Sequence, residues 1–138
     1  LAVKNSADQL RAGEHASTFG GNPFACRAGL TVIQEIERRD LLNHVTAMAA
    51  LLQELLAGLV QQHPQLLEGS RGWGLLQGLV LREGGPTAPE LVKAALAERL
   101  LLVPAGARVV RFVPPLVIRP KHLRKAVKRL GHALERLA

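Results

Sequence analysis

Gly72-Trp73-Gly74-Leu75-Leu76-Gln77-Gly78-Leu79-Val80-Leu81 marks the point where the apolar period of this chain changes. Ten residues, short, apolar and dotted with glycine, predict one strand on which the glycines permit close backbone approach. Downstream, Gly84-Gly85-Pro86 turns the chain, and Thr87 with Glu90 has capping-box spacing for a helix from Ala88 to about Arg99, with Pro89 in its first turn. Two strand-like runs follow, Leu100 to Pro104 and Arg108 to Val113, joined by Ala105-Gly106-Ala107 in the manner of a hairpin. Pro114-Pro115 ends the second run, and Pro120 opens a terminal helix.

Upstream, the period is helical. Asn22 is placed to cap a helix with Pro23 at its first position, running to about Arg38 with Leu30, Ile33 and Ile36 facing inward. Asp40 is placed to cap a second helix from Leu41 to about Gln62, with Leu41, Val45, Met48, Leu52, Leu55 and Leu59 on its inner face and Pro64 closing it. Residues 1–13 read as a strand end and loop. The order ααβαββα, with strands segregated among helices, predicts an α+β fold: helices layered on a small, largely antiparallel sheet.

A chain of 138 residues with 48% hydrophobic and 21% charged side chains has the size and composition of one compact domain. No uninterrupted apolar run approaches the roughly 18 residues that span a bilayer, so no membrane partner is expected. The single cysteine, Cys26, forms no internal disulfide, which suits a reducing, cytoplasmic setting. The first residue is Leu1, and the chain reads as a piece of a longer one. Its net charge of +7 is uneven. Residues 1–106 hold nine Lys/Arg against ten Asp/Glu, while residues 107–138 hold nine against Glu135 alone. In that last segment Leu123, Val127, Leu130, Leu134 and Leu137 form one apolar stripe, and Lys121, Arg124, Lys125, Lys128, Arg129 and Arg136 fall off it. A nucleic-acid module is one reading of so basic a segment. A core-packing helix with a solvated basic face is preferred, because the segment has no aromatic to stack on a base and no glycine loop to clamp a phosphate backbone.

Chemistry concentrates in Gly13-Glu14-His15-Ala16-Ser17-Thr18-Phe19-Gly20-Gly21-Asn22-Pro23. Two hydroxyls beside two glycines at a helix start offer donors to a phosphate oxyanion. Spacing alone serves an ST-type turn plus a cap equally well, and His15 by itself carries little weight.

The stretch Gly13 to Ala28, G-E-H-A-S-T-F-G-G-N-P-F-A-C-R-A, resembles the H-x-S-T-F/Y-G-G-N-P-L-A-C segment of class III pyridoxal-phosphate-dependent aminotransferases, above all the acetylornithine aminotransferases. Arg71-Gly72-Trp73-Gly74-Leu75-Leu76-Gln77-Gly78 resembles that family's R-G-x-G-L-M-x-G strand, and Val110 to Ile118, V-R-F-V-P-P-L-V-I, its L-R-F-x-P-P-L-I-I segment. Phe24 stands where the family pattern has leucine.

The resemblance implies the C-terminal small domain of a fold-type I transferase over residues 22–138, preceded by an interdomain segment, 1–21, carrying a cofactor-phosphate loop. It implies that the Schiff-base lysine, the aspartate that pairs with the pyridine nitrogen and the glycine-rich phosphate loop of the large domain all precede residue 1. The chain alone is then expected to be inactive, with Lys4 a surface lysine. It further implies pyridoxal 5'-phosphate as cofactor and a homodimer whose partner's phosphate is reached by Thr18. Ser17 falls on the substrate side, Arg111 receives a carboxylate of the amino-acid or 2-oxo-acid substrate, and no metal is implied. A rigid guanidinium fork suits that carboxylate; without the resemblance, Arg111 reads as a solvated strand arginine. Trp73 is expected in the core and Cys26 as a small buried hydrophobe. The parent reaction implied is amino transfer from N-acetylornithine to 2-oxoglutarate, with ornithine, succinylornithine and 4-aminobutyrate enzymes sharing the same framework.

Overall fold

The structure, a computed structural model, describes residues 17–138, so Lys4, His15 and the strand end expected within residues 1–13 lie outside the described residues. The chain divides at Arg39/Asp40 into two units. In the first, α1 (Pro23–Arg38) begins as its sequence predicts, with Asn22 in an extended conformation and its Oδ1 accepting from the Ala25 N–H at 2.9 Å. The face expected to point inward is not buried. α1 buries no residue, and Leu30 and Ile33 are 45% and 55% exposed. Cys26, on the same helix, is exposed as well, which corrects its assignment to a core.

The second unit contains α2 (Leu41–Gln62), β1 (Leu67–Trp73), β2 (Leu76–Leu81), α3 (Ala88–Ala97), β3 (Val103–Pro104), β4 (Val109–Phe112) and α4 (Pro120–Glu135). The α+β class and the antiparallel sheet are as expected, but the order gains a strand. The run read as one strand from Gly72 to Leu81 holds the end of β1, a turn and all of β2: β1 and β2 pair from Leu67↔Leu81 to Trp73↔Leu76 around Gly74, whose φ of 54° suits a residue without Cβ. Trp73 therefore sits at the hairpin's end, 90% exposed, rather than in the core. The sheet runs β1-β2-β4-β3, antiparallel throughout.

Period-two alternation sorts the sheet's faces. Leu79 and Leu81 of β2 and Val110 and Phe112 of β4 are buried on one face, beneath Leu52, Leu56 and Leu59 of α2, Leu91 and Ala95 of α3, and Leu123, Leu130 and Leu134 of α4. Each fully buried leucine contributes roughly 1.5–3 kcal/mol from apolar transfer. Along α2 it is Leu56 that is fully buried, while Leu55 and Val45 pack at the core's margin. By length and composition α2 is apolar enough to cross a bilayer although polar residues interrupt its apolar run; here it lays one face on this core. Asp40 precedes α2 but does not cap it: its backbone is left-handed, at φ 47°, and its carboxylate accepts from Asn43 Nδ2 instead.

The basic residues of α4 lie off the buried stripe, and two of them are structural. Arg129 Nη1 donates to the Arg99 carbonyl at 2.8 Å, and Arg136 Nη2 pairs with Glu98 at 2.7 Å. Both tie α4 to the C-terminal end of α3.

The capping box of α3 is present in full. The Glu90 N–H donates to Thr87 Oγ1 at 3.4 Å, and Glu90 Oε2 accepts from the Thr87 N–H at 2.7 Å. That backbone N–H, and then the Thr87 hydroxyl, hold the Glu90 carboxyl below the usual carboxylate range. A group with a lowered folded-state pKa stabilises above its unfolded value and loses that contribution as pH falls through the folded one. Thr87→Ala is expected to cost about 1 kcal/mol at neutral pH in urea denaturation, and less once Glu90 is protonated.

Candidate functional site

In the first unit, Ser17 and Thr18 are exposed and lead into a tight turn. Ser17 Oγ accepts from the Gly20 N–H at 2.8 Å, Asn22 Nδ2 donates to the Phe19 carbonyl at 2.5 Å, and Gly21 takes φ 76°, where a side chain would be strained. The turn-plus-cap alternative is thus realised. Gly20 and Ala25 spend their N–H groups on side-chain oxygens, which withdraws those two backbone amides from any phosphate. The Ser17 hydroxyl can still donate while its oxygen accepts, and Thr18 Oγ1 makes no hydrogen bond among the described residues. A donor set of two adjacent exposed hydroxyls fits a phosphate group.

In the second unit, Arg111 lies on β4 between the buried Val110 and Phe112, so it projects from the sheet face opposite the core. It is directly opposite Gly78 on β2 and Val103 on β3. Its Nε is buried and has no hydrogen-bond partner among the described residues. A buried N–H of a permanently charged group left unpaired is costly, which sets Arg111 apart from a solvated strand arginine. It lines a cavity of about 370 Å³ with Arg71, Trp73, Leu76, Gly78 and Val109.

The floor of that cavity depends on Gly78, since a Cβ there would stand 2.9 Å from Val109 Cγ1. Beyond β4, Pro114-Pro115 takes the chain off the sheet. The Ile118 N–H donates to the Pro115 carbonyl at 3.0 Å, and His44 Nε2 of α2 donates to the Ile118 carbonyl at 2.7 Å, fastening this corner to the helical layer. Arg71, for which the sequence suggested no role, occupies the same outer face. The signal was its register: with Leu67–Trp73 read as a strand, Arg71 falls opposite Gly78. Among the described residues no group of three or more His, Cys, Asp or Glu side chains is arranged to hold a metal.

Comparison with known proteins agrees with the resemblance. The family model described as aminotransferase class-III matches residues 1–134. The acetylornithine aminotransferase of Parasynechococcus marenigrum (strain WH8102) is 58% identical over 138 residues, covering 99% of this chain and 33% of that protein. That of Nostoc sp. (strain PCC 7120 / SAG 25.82 / UTEX 2576) is 48% identical over 135 residues, 97% of this chain and 32% of that one. Among solved structures, the acetylornithine aminotransferase of Elizabethkingia anophelis superposes with a TM-score of 0.81 at 28% identity, over 92% of this chain and 32% of that chain. The chain thus spans about a third of the length of the relatives it matches. With a match along nearly all its length, an α+β fold shared with solved aminotransferases and more than half its residues in common with one relative, the chain belongs to the class-III aminotransferase family.

Proposed function

We propose that this chain is the C-terminal part of a pyridoxal-phosphate-dependent aminotransferase that moves the amino group of N-acetylornithine to 2-oxoglutarate, yielding N-acetylglutamate semialdehyde and glutamate. The buried, unpartnered Nε of Arg111 at a cavity on the outer sheet face supports a carboxylate-binding site, and the likeness to acetylornithine aminotransferases supports the choice of substrate. The protein would act in arginine biosynthesis, in the cytoplasm, as a homodimer whose cofactor sites each draw on both subunits. Residues 22–138 would form the small domain, and 1–21 the segment that reaches the cofactor phosphate.

When bound, pyridoxal phosphate supplies the electron sink and the amino-group carrier. This chain's residues would bind and orient. Arg111 would complete its hydrogen bonds with a substrate carboxylate, receiving it through two parallel N–H donors. Thr18 would donate its hydroxyl to the phosphate bound at the partner subunit, and Ser17, held by its turn, would border the substrate.

Steady-state kinetics of the full-length enzyme with 2-oxoglutarate test the substrate assignment. N-acetylornithine is expected to give the highest kcat/KM; preference for ornithine, succinylornithine or 4-aminobutyrate would overturn it. Thr18→Ala is expected to weaken cofactor retention in equilibrium dialysis by roughly ten-fold or more, the worth of a hydrogen bond to a charged group. Its effect on substrate KM is expected to be smaller. Unchanged cofactor retention would remove Thr18 from the phosphate site.

A further inference from the structure

We propose that Arg71 is a second, positioning guanidinium of the carboxylate site, converging with Arg111 on one carboxylate held above Gly78; this rests on the reading of Arg111 given above. The two arginines share one row of the sheet: Arg71 pairs with Gly78 across β1 and β2, and Gly78 with Arg111 across β2 and β4. Residues directly opposite in antiparallel strands point to the same face, with strands about 4.8 Å apart, so each arginine stands roughly 5 Å from the glycine between them. Gly78 puts no side chain of its own between them, and Val109 Cγ1 borders the gap, 2.9 Å from where a Gly78 Cβ would be. The stem of Arg71 leans over it, its Cγ 4.0 Å from where a Gly78 Cβ would be. Both arginines line the same cavity.

Neither guanidinium has a carboxylate partner among the described residues, whereas Arg38, Arg108 and Arg136 each have one. Like charges brought to one gap without a counter-ion repel, and an anion between them relieves that repulsion while satisfying the Arg111 Nε. Arg111, partly desolvated, provides the directed bonds. Arg71, exposed, provides field and capture, so its removal should raise dissociation and Michaelis constants and leave turnover alone.

The test uses the full-length enzyme and two unreactive carboxylates, butyrate and glutarate. Arg71→Gln is expected to raise the dissociation constant of both by about three- to ten-fold, with kcat within two-fold of wild type and the melting temperature unchanged. The salt dependence of kcat/KM should become shallower, and Arg71→Lys should recover most of the loss at low ionic strength. A loss confined to glutarate would overturn the proposal, since Arg71 would then serve a separate second carboxylate. So would unchanged constants while Arg111→Ala remains strongly impaired, or a lowered melting temperature that lysine does not rescue. If Arg111→Ala itself leaves both constants unaltered, the underlying reading of Arg111 fails and this one with it.

Discussion

Arg111→Ala in the full-length enzyme is expected to lower kcat/KM for both the amino donor and 2-oxoglutarate by roughly 30-fold to several thousand-fold, the equivalent of about 2–5 kcal/mol. Truncation removes the one side chain among the described residues with a buried and unsatisfied N–H, and it takes from the substrate carboxylate the directed bonds of Arg111 in a partly desolvated cavity. The fold should tolerate the change. The neighbours that carry the core, Val110 and Phe112, face the other way, and deleting an unpaired buried N–H costs the sheet no bond. Cofactor retention should change little, since the hydroxyls proposed for the phosphate lie in the Ser17–Thr18 segment. Arg111→Lys should recover only part of the loss, because an ammonium cannot present two parallel N–H donors. Unaltered kinetics for both substrates in Arg111→Ala would return this residue to the ordinary strand arginines.

The largest expected effect on stability belongs to Gly72→Ala. A Cβ at Gly72 would stand 2.2 Å from the Leu76 carbonyl oxygen and 2.7 Å from the Gln77 Cα, both backbone atoms, and the residue sits at φ 154°. Neither atom can yield without opening the β1–β2 hairpin, so a loss of about 3 kcal/mol or more is expected in urea denaturation of the chain, at the large end for a single substitution. Gly69, three residues before Gly72 in the same strand and at a register shift, is the control. Nothing lies within 4 Å of its Cβ position, and Gly69→Ala should change stability by no more than about 0.5 kcal/mol. Equal stability of the two variants would contradict the packing described for the hairpin.

What was legible in the sequence was local. Asn22 with Pro23, and Thr87 with Glu90, announce helix starts because a cap satisfies its own neighbours' N–H groups within three residues. The Leu123-Val127-Leu130-Leu134 stripe announces a buried face because one helix repeats it. β1 was illegible for the opposite reason. Leu67-Glu68-Gly69-Ser70-Arg71 has no apolar alternation, and its pairing is set by a partner strand beyond a two-residue turn, so Gly74 reads as strand interior when it makes the corner.

That single miss moved Trp73 out of the core and hid Arg71, whose significance exists only in the register opposite Gly78. Asp40 shows the limit of capping by residue type: a left-handed backbone turns its carboxylate toward Asn43 rather than toward the helix. Ser17 and Thr18 were legible as hydroxyls at a helix start, but which N–H groups remain available to a phosphate depended on the turn geometry. Arg111 was found through the residues around it, Phe112 and Pro114-Pro115, and only the folded sheet exposes why it matters: its Nε is buried without a partner.

A substrate carboxylate is expected to complete the hydrogen bonding of Arg111. A crystal structure of the full-length enzyme with glutarate tests it directly. A carboxylate oxygen is expected at about 2.7–2.9 Å from Arg111 Nε, above Gly78 on the outer sheet face. Glutarate bound elsewhere, with Arg111 Nε still unpaired or turned to a protein carboxylate of the same subunit, would contradict it.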